Sequence, residues 1–154
     1  MAWWTIEHSC GHTQRIQLYG PGKDRERKAE WMERGVCPDC YRAQKELERK
    51  QESERAATVG AEIGFTPLAG SEKQIAWAIT IRQKVYESLC KRFNPVPGFG
   101  YTLAVEAMNL ETSAKWWIDN RGVDAVKLMN VIAGNYPEKC KEINERMRNE
   151  NIYN

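Results

Sequence analysis

The chain has 154 residues, 42% of them hydrophobic, with 23 basic and 21 acidic side chains for a net charge of +2. Mean hydropathy is −0.68, so core-forming material is thin, and no apolar run approaches the roughly 20 residues that span a bilayer. The balanced charge excludes coating of nucleic acid by bulk electrostatics, and the first twenty residues lack the basic and apolar blocks of a signal peptide. The expectation is a soluble, cytoplasmic protein with no membrane partner.

Residues 2–20 alternate as two short strands, "AWWTIEH" and "TQRIQLYG", joined by the turn "SCGH", where Gly11 can take a positive φ. "GPGKDRERKAEWMERG" predicts a short charged helix, with Asp24 as its N-cap and Gly35 as its stop. After "CPDC", residues 41 to about 57 are helix-forming but nearly all polar, as in a solvated connector. "TVGAEIGFTPLAG" reads as a linker.

The remainder has helical periodicity throughout. "SEKQIAWAITIRQKVYESLCKRF" opens with Ser71 and Gln74 in capping-box order and carries an apolar stripe of Ala78, Ile81, Val85 and Leu89. "NPVPGFGYT" reads as a loop. "LAVEAMN", "TSAKWWIDNRG", "VDAVKLMNVIAG" and "PEKCKEINERMRNE" follow as helices, the last with Pro137 at its first position and Cys140, Ile143 and Met147 on one face. The expected fold class is α+β. A small N-terminal zinc ribbon with a polar connector helix covers residues 1–56, a linker 57–66, and a small all-helical domain 67–154.

Cysteine spacing carries the strongest chemical signal. Structural zinc takes four sulfur or nitrogen ligands in a tetrahedron, commonly as two short pairs from distant points in the chain. Cys10-x-His12 and Cys37-x-x-Cys40 fit that plan. A redox reading of Cys37 and Cys40 would require a surrounding βαβ pattern, which is missing. His8-x-Cys10 is also a short pair, so His8 competes with His12 for the fourth position. Cys90 and Cys140 stand apart, and the odd total of five argues against a disulfide framework. Four ligands leave no open position, and no His-x-Glu accompanies the cysteines, so the expected zinc is structural and an enzyme is not expected.

Other motifs fail on spacing. "GPGKD" lacks the length and the hydroxyl of a phosphate loop, and with only His8 and His12 in the chain a histidine triad lacks material. Surfaces remain. From Ser71 to Arg92 five basic residues face two acidic ones, so a helix bearing Lys73, Gln74, Trp77 and Arg82 can follow phosphates and stack a base. The bland alternative has Gln74 capping, Trp77 in the core and the charges solvated. Trp116 and Trp117, about 100° apart on a helix, cannot both point inward. One must lie at a seam or a partner surface, which marks Lys115, Trp116 and Arg121 as candidates. Trp3 and Trp4 face opposite sides of a strand.

The order "CGH", "GPGKDRERKAEWMERGVCPDCYRA", "LAGSEKQIAWAITIR" and "AKWWIDNR" resembles small zinc-ribbon proteins of bacterial phages, plasmids and integrated elements. That resemblance implies Cys10, His12, Cys37 and Cys40 as a site, and Ser71, Lys73, Gln74, Trp77 and Arg82 as a shared segment, in a bacterial host cell. It names no reaction. The functional expectation is a non-enzymatic accessory protein of a phage or mobile element that binds nucleic acid. The rival expectation is an adaptor or inhibitor docking on a host or phage protein complex.

Overall fold

The computed structural model describes residues 2–93 and 99–149. The chain divides into two compact units, one through Arg49 and one from Lys50 onward.

In the first unit, β1 (Ala2–Glu7) pairs antiparallel with β2 (Thr13–Leu18). Between them the His8 N–H donates to the His12 carbonyl at 2.9 Å and Gly11 N–H to the His8 carbonyl at 2.8 Å, with Gly11 at φ 77°. That left-handed conformation favours glycine, and it turns the chain where the sequence predicts. Even-numbered strand residues face inward. Ile6 and Leu18 meet Ala29 of α1 (Gly22–Arg34) in a small core, with Trp4, Ile16 and Met32 against it.

Helix α1 departs from expectation at its start. Pro21, not Asp24, is the N-cap residue, and its carbonyl accepts from Asp24 and Arg25 N–H groups at 3.1 Å each. Asp24 lies inside the first turn, where a carboxylate favours the positive end of the helix dipole. Gly35 ends the helix as predicted.

Helix α2 (Pro38–Ile63) is longer at both ends than the polar stretch suggested. It begins at Pro38 because proline suits a first helical position, and because the Cys37 sulfur accepts the Cys40 N–H at 3.3 Å, as an N-cap side chain does. It runs through residues 57–63, read from sequence as linker, until Gly64 at φ 94° ends it. There the N–H groups of Gly64 and Phe65 both return to the Gly60 carbonyl, at 3.1 and 2.8 Å.

The second unit is helical. It holds the rest of α2, then α3 (Glu72–Phe93), α4 (Phe99–Asn109), α5 (Ala114–Asp119), α6 (Ala125–Asn135) and α7 (Pro137–Asn149). The capping box at Ser71 forms, with Ser71 N–H to Gln74 Oε1 at 3.1 Å and Gln74 N–H to Ser71 Oγ at 3.4 Å. Helix α4 starts earlier than expected, and residues 99–102, read as loop, are its first turn. The rest of that expected loop, residues 94–98, lies outside the described residues.

Leu68, Ala78, Leu89, Met108, Ala114, Trp117, Ala125, Leu128 and Ile132 form the core of this unit. Helix α3 packs on α5 and α6, and α4 on α6 and α7. Ile143 and Met147 are buried on α7, while Cys140 on the same face is only half-buried. Trp117, fully buried, donates its indole N–H to the Glu111 carbonyl at 2.9 Å. Replacing Trp117 by Ala empties the largest fully buried side chain in the described core and orphans that carbonyl. We expect a loss of about 3–5 kcal/mol, read by urea unfolding followed by circular dichroism.

Candidate metal centre and aromatic faces

The hairpin turn carries Cys10 and His12, and the α1–α2 junction carries Cys37 and Cys40. Their donor atoms all lie within 4.8 Å of one another. His12 Nδ1 is 3.2 Å from Cys40 Sγ and 3.7 Å from Cys37 Sγ. A tetrahedral ion bonded at about 2.3 Å to sulfur and 2.0–2.1 Å to nitrogen sets donors roughly 3.5–3.8 Å apart, so these four residues form a group that fits a metal ion. The sequence left His8 and His12 open, and the fold separates them. His8 is buried, with Nδ1 3.0 Å from the Met32 carbonyl and Nε2 3.3 Å from the Gln14 side chain. An inward position on the strand parity sends His8 to the hairpin core and away from the sulfurs.

The cluster's electrostatics favour a cation. Cys10 is held down to about 6, first because the Cys37 N–H donates to its sulfur at 3.3 Å, then through the backbone of His12. Cys40 is pushed up to about 11, chiefly by its hydrogen bond with the Cys37 sulfur, then by desolvation and by the other thiols. The raised Cys40 thus keeps its proton at neutral pH, and a metal ion would displace it. By sign, the lowered Cys10 contributes stability above about pH 9 that is lost as pH falls through about 6.

No protein-family model, curated protein or solved structure matches the chain.

The residues marked as a binding face separate into two groups. Lys73 is exposed, and Trp77, one turn on, is 50% exposed with the Arg121 guanidinium 5.4 Å from its ring centre. Lys115 pairs with Asp119 at 2.7 Å on the surface. Trp116 is half-buried, its ring edge-on to buried Trp117 at 5.2 Å. This division between neighbouring tryptophans follows the expected helical geometry.

Gln74 and Arg82 are placed differently. Gln74 completes the helix cap. Arg82 is 4% exposed, donates to the Thr66 carbonyl at 2.9 Å and lies 4.5 Å over the Phe65 ring, so it braces the segment before α3 and does not reach a phosphate. Burial lowers its pKa to about 10. On the i,i+4 line through Gln74, Ala78 and Arg82, Ala78 joins the core and Arg82 is buried against Thr66 and Phe65, so the line does not form a binding face.

The sequence reading singled out Trp3 without its partner. The Arg15 guanidinium lies 5.0 Å from the Trp3 ring centre across the hairpin. Strand parity was the available signal, since both are odd-numbered residues on one face.

Two results are expected for the metal centre. His12→Ala should abolish tight metal binding while His8→Ala leaves one metal per chain, read by atomic emission after dialysis. Because Cys40 must release a proton on binding, metal affinity should fall at least about tenfold for each unit that pH drops through neutrality, read by competition with a chromophoric chelator.

Proposed function

We propose that this chain is a non-enzymatic accessory protein that binds nucleic acid and uses zinc held by Cys10, His12, Cys37 and Cys40 for structure. Zinc is the ion whose tetrahedral habit and taste for thiolate and imidazole match the donor set. Four protein donors complete that tetrahedron, which supports a structural role. The resemblance of the cysteine pattern and the Leu68–Arg82 segment to mobile-element proteins supports placing it in a phage, plasmid or integrated element of a bacterial cell.

The observation that carries the binding role is the surface of the helical unit at Trp77. A half-exposed indole with an arginine over it and Lys73 one turn away offers a stacking plane beside positive charge. Aromatic planes of this kind take bases regardless of sequence, and the cations take phosphates.

A second reading, a protein-binding adaptor or inhibitor, draws on the net charge of +2 and on Trp31, which is 73% exposed. Capture of a stoichiometric protein partner from nuclease-treated bacterial lysate, with no affinity for purified nucleic acid, would favour that reading.

The nucleic-acid reading predicts binding at low salt that weakens linearly in log–log form as salt rises. Trp77→Ala should cost about 1–3 kcal/mol of binding, and Arg121→Ala should lower the salt slope by about one. Fluorescence anisotropy with labelled DNA and RNA measures all three. Absence of binding at the lowest salt would sink the proposal.

A further inference from the structure

The metal centre of the first unit also holds the parts of a reversible thiol pair. Cys37 directly precedes α2, and Cys40 lies in the first turn of that helix. The Cys37 carbonyl accepts the Tyr41 N–H at 2.9 Å, so residues 37–41 already follow the helical path. On that path Cα atoms three residues apart are about 5 Å from each other, inside the span that a disulfide bridges. The Cys40 N–H donates to the Cys37 sulfur at 3.3 Å, which holds that sulfur over the start of the helix on the side of Cys40.

Access differs between the two sulfurs. Cys37 is buried, whereas Cys40 is half-buried and the residues between them, Pro38 and Asp39, are exposed. A small oxidant therefore reaches Cys40 first, and Cys37 stands behind it as the thiol that resolves the oxidised sulfur. Cys10 is also half-buried and belongs to the same group. It sits on the hairpin turn, so a bond from it would join two distant segments, while a Cys37–Cys40 bond closes within one helical turn. Cys90 and Cys140 lie outside the group.

We propose that Cys37 and Cys40 form a reversible disulfide under hydrogen peroxide and that this bond opens the metal centre. The proposal rests on the metal-binding reading of the four residues and adds its regulation. In the first step the Cys40 sulfur bonds to one peroxide oxygen, the O–O bond breaks, and the other oxygen leaves as water with the thiol proton. In the second step the Cys37 sulfur displaces the hydroxyl from the Cys40 sulfenic acid. The S–S bond forms, the S–O bond breaks, and a second water leaves with the Cys37 proton. Where the sulfurs are metal-bound, solvent supplies both protons. Two electrons pass from the sulfur pair to the peroxide.

The consequence follows from the donor set. Cys10 and His12 alone cannot complete a tetrahedron, so the hairpin turn and the α1–α2 junction lose their common ion. Thiol–disulfide exchange with a dithiol reductant restores both donors.

The test uses the full zinc-loaded chain, reduced and then exposed to hydrogen peroxide for the time that consumes free glutathione in a parallel tube. Remaining thiols are alkylated and the chain is digested with trypsin. Residues 35–42 form one tryptic peptide that holds Cys37 and Cys40 and no other cysteine. We expect that peptide unalkylated and lighter by its two thiol hydrogens, one zinc released per chain to a chromophoric chelator, and reversal of both by dithiothreitol and zinc. Cys10→Ser, which leaves the pair in place, should form the same disulfide, and Cys40→Ser should form none in that peptide. Zinc loss with both cysteines of the peptide alkylated, a disulfide that joins Cys10, or a sulfinic acid at Cys40 in place of the disulfide would overturn the proposal. Full retention of zinc and thiols would overturn it too. In each of those cases one zinc per reduced chain keeps the metal reading intact. A reduced chain that takes up no zinc overturns the metal reading and the release that rests on it, while the mass of the peptide still decides the disulfide.

Discussion

The N-terminal unit depends on the meeting of three sulfurs and one imidazole. Among the described residues its hydrophobic core is Ile6, Leu18 and Ala29, with Trp4, Ile16 and Met32 around them. A core in so short a unit rarely supplies more than about 3–5 kcal/mol, so a metal ion joining the hairpin turn to the α1–α2 junction would add the missing constraint. The sulfurs also act without a metal. Cys10 accepts the Cys37 N–H, and Cys37 caps α2 by accepting the Cys40 N–H. One cluster thereby sets the turn, the start of a helix and the distance between them.

The helical unit follows another logic, in which one large side chain organises its neighbours. Trp117 fills the core and its indole N–H holds the Glu111 carbonyl. The Glu111 carboxylate in turn accepts the Ser113 N–H at 3.0 Å and the Tyr136 hydroxyl at 3.2 Å. Ala69 adds backbone bonds to Thr112 and Ala114. The entry to α5 is therefore fixed from several directions, and Trp116 and Arg121 inherit defined positions. Arg121, just past α5, donates to the Ile118 carbonyl at 2.9 Å and lies over Trp77.

Positive charge divides between structure and surface in a way that periodicity alone cannot resolve. Lys73, Trp77 and Arg82 all sit on α3, yet Arg82 is committed to Thr66 and Phe65 while Trp77 faces solvent beside Arg121. Two of the guanidinium nitrogens of Arg82 have no hydrogen-bond partner among the described residues. A buried guanidinium is costly unless its surroundings support it, and stacking on Phe65 provides part of that support.

Local patterns in the sequence determined the hairpin and its glycine turn, the capping box at Ser71, the apolar faces of α3 and α7, and the three cysteines of a group that could hold a metal ion, with His8 and His12 both open as its fourth member. Each depends on interactions within a few residues, or on ligand chemistry that spacing alone reveals. The tertiary structure decided what depends on distant partners. It chose His12 over His8, because strand parity buries His8 beside Met32. Helix α2 gained residues 57–63, since only the closure of Gly64 and Phe65 onto Gly60 ends it. Arg82 went inside and Trp77 outside, because the Thr66 carbonyl and the Phe65 ring before α3 take the Arg82 guanidinium while Trp77 meets solvent beside Arg121.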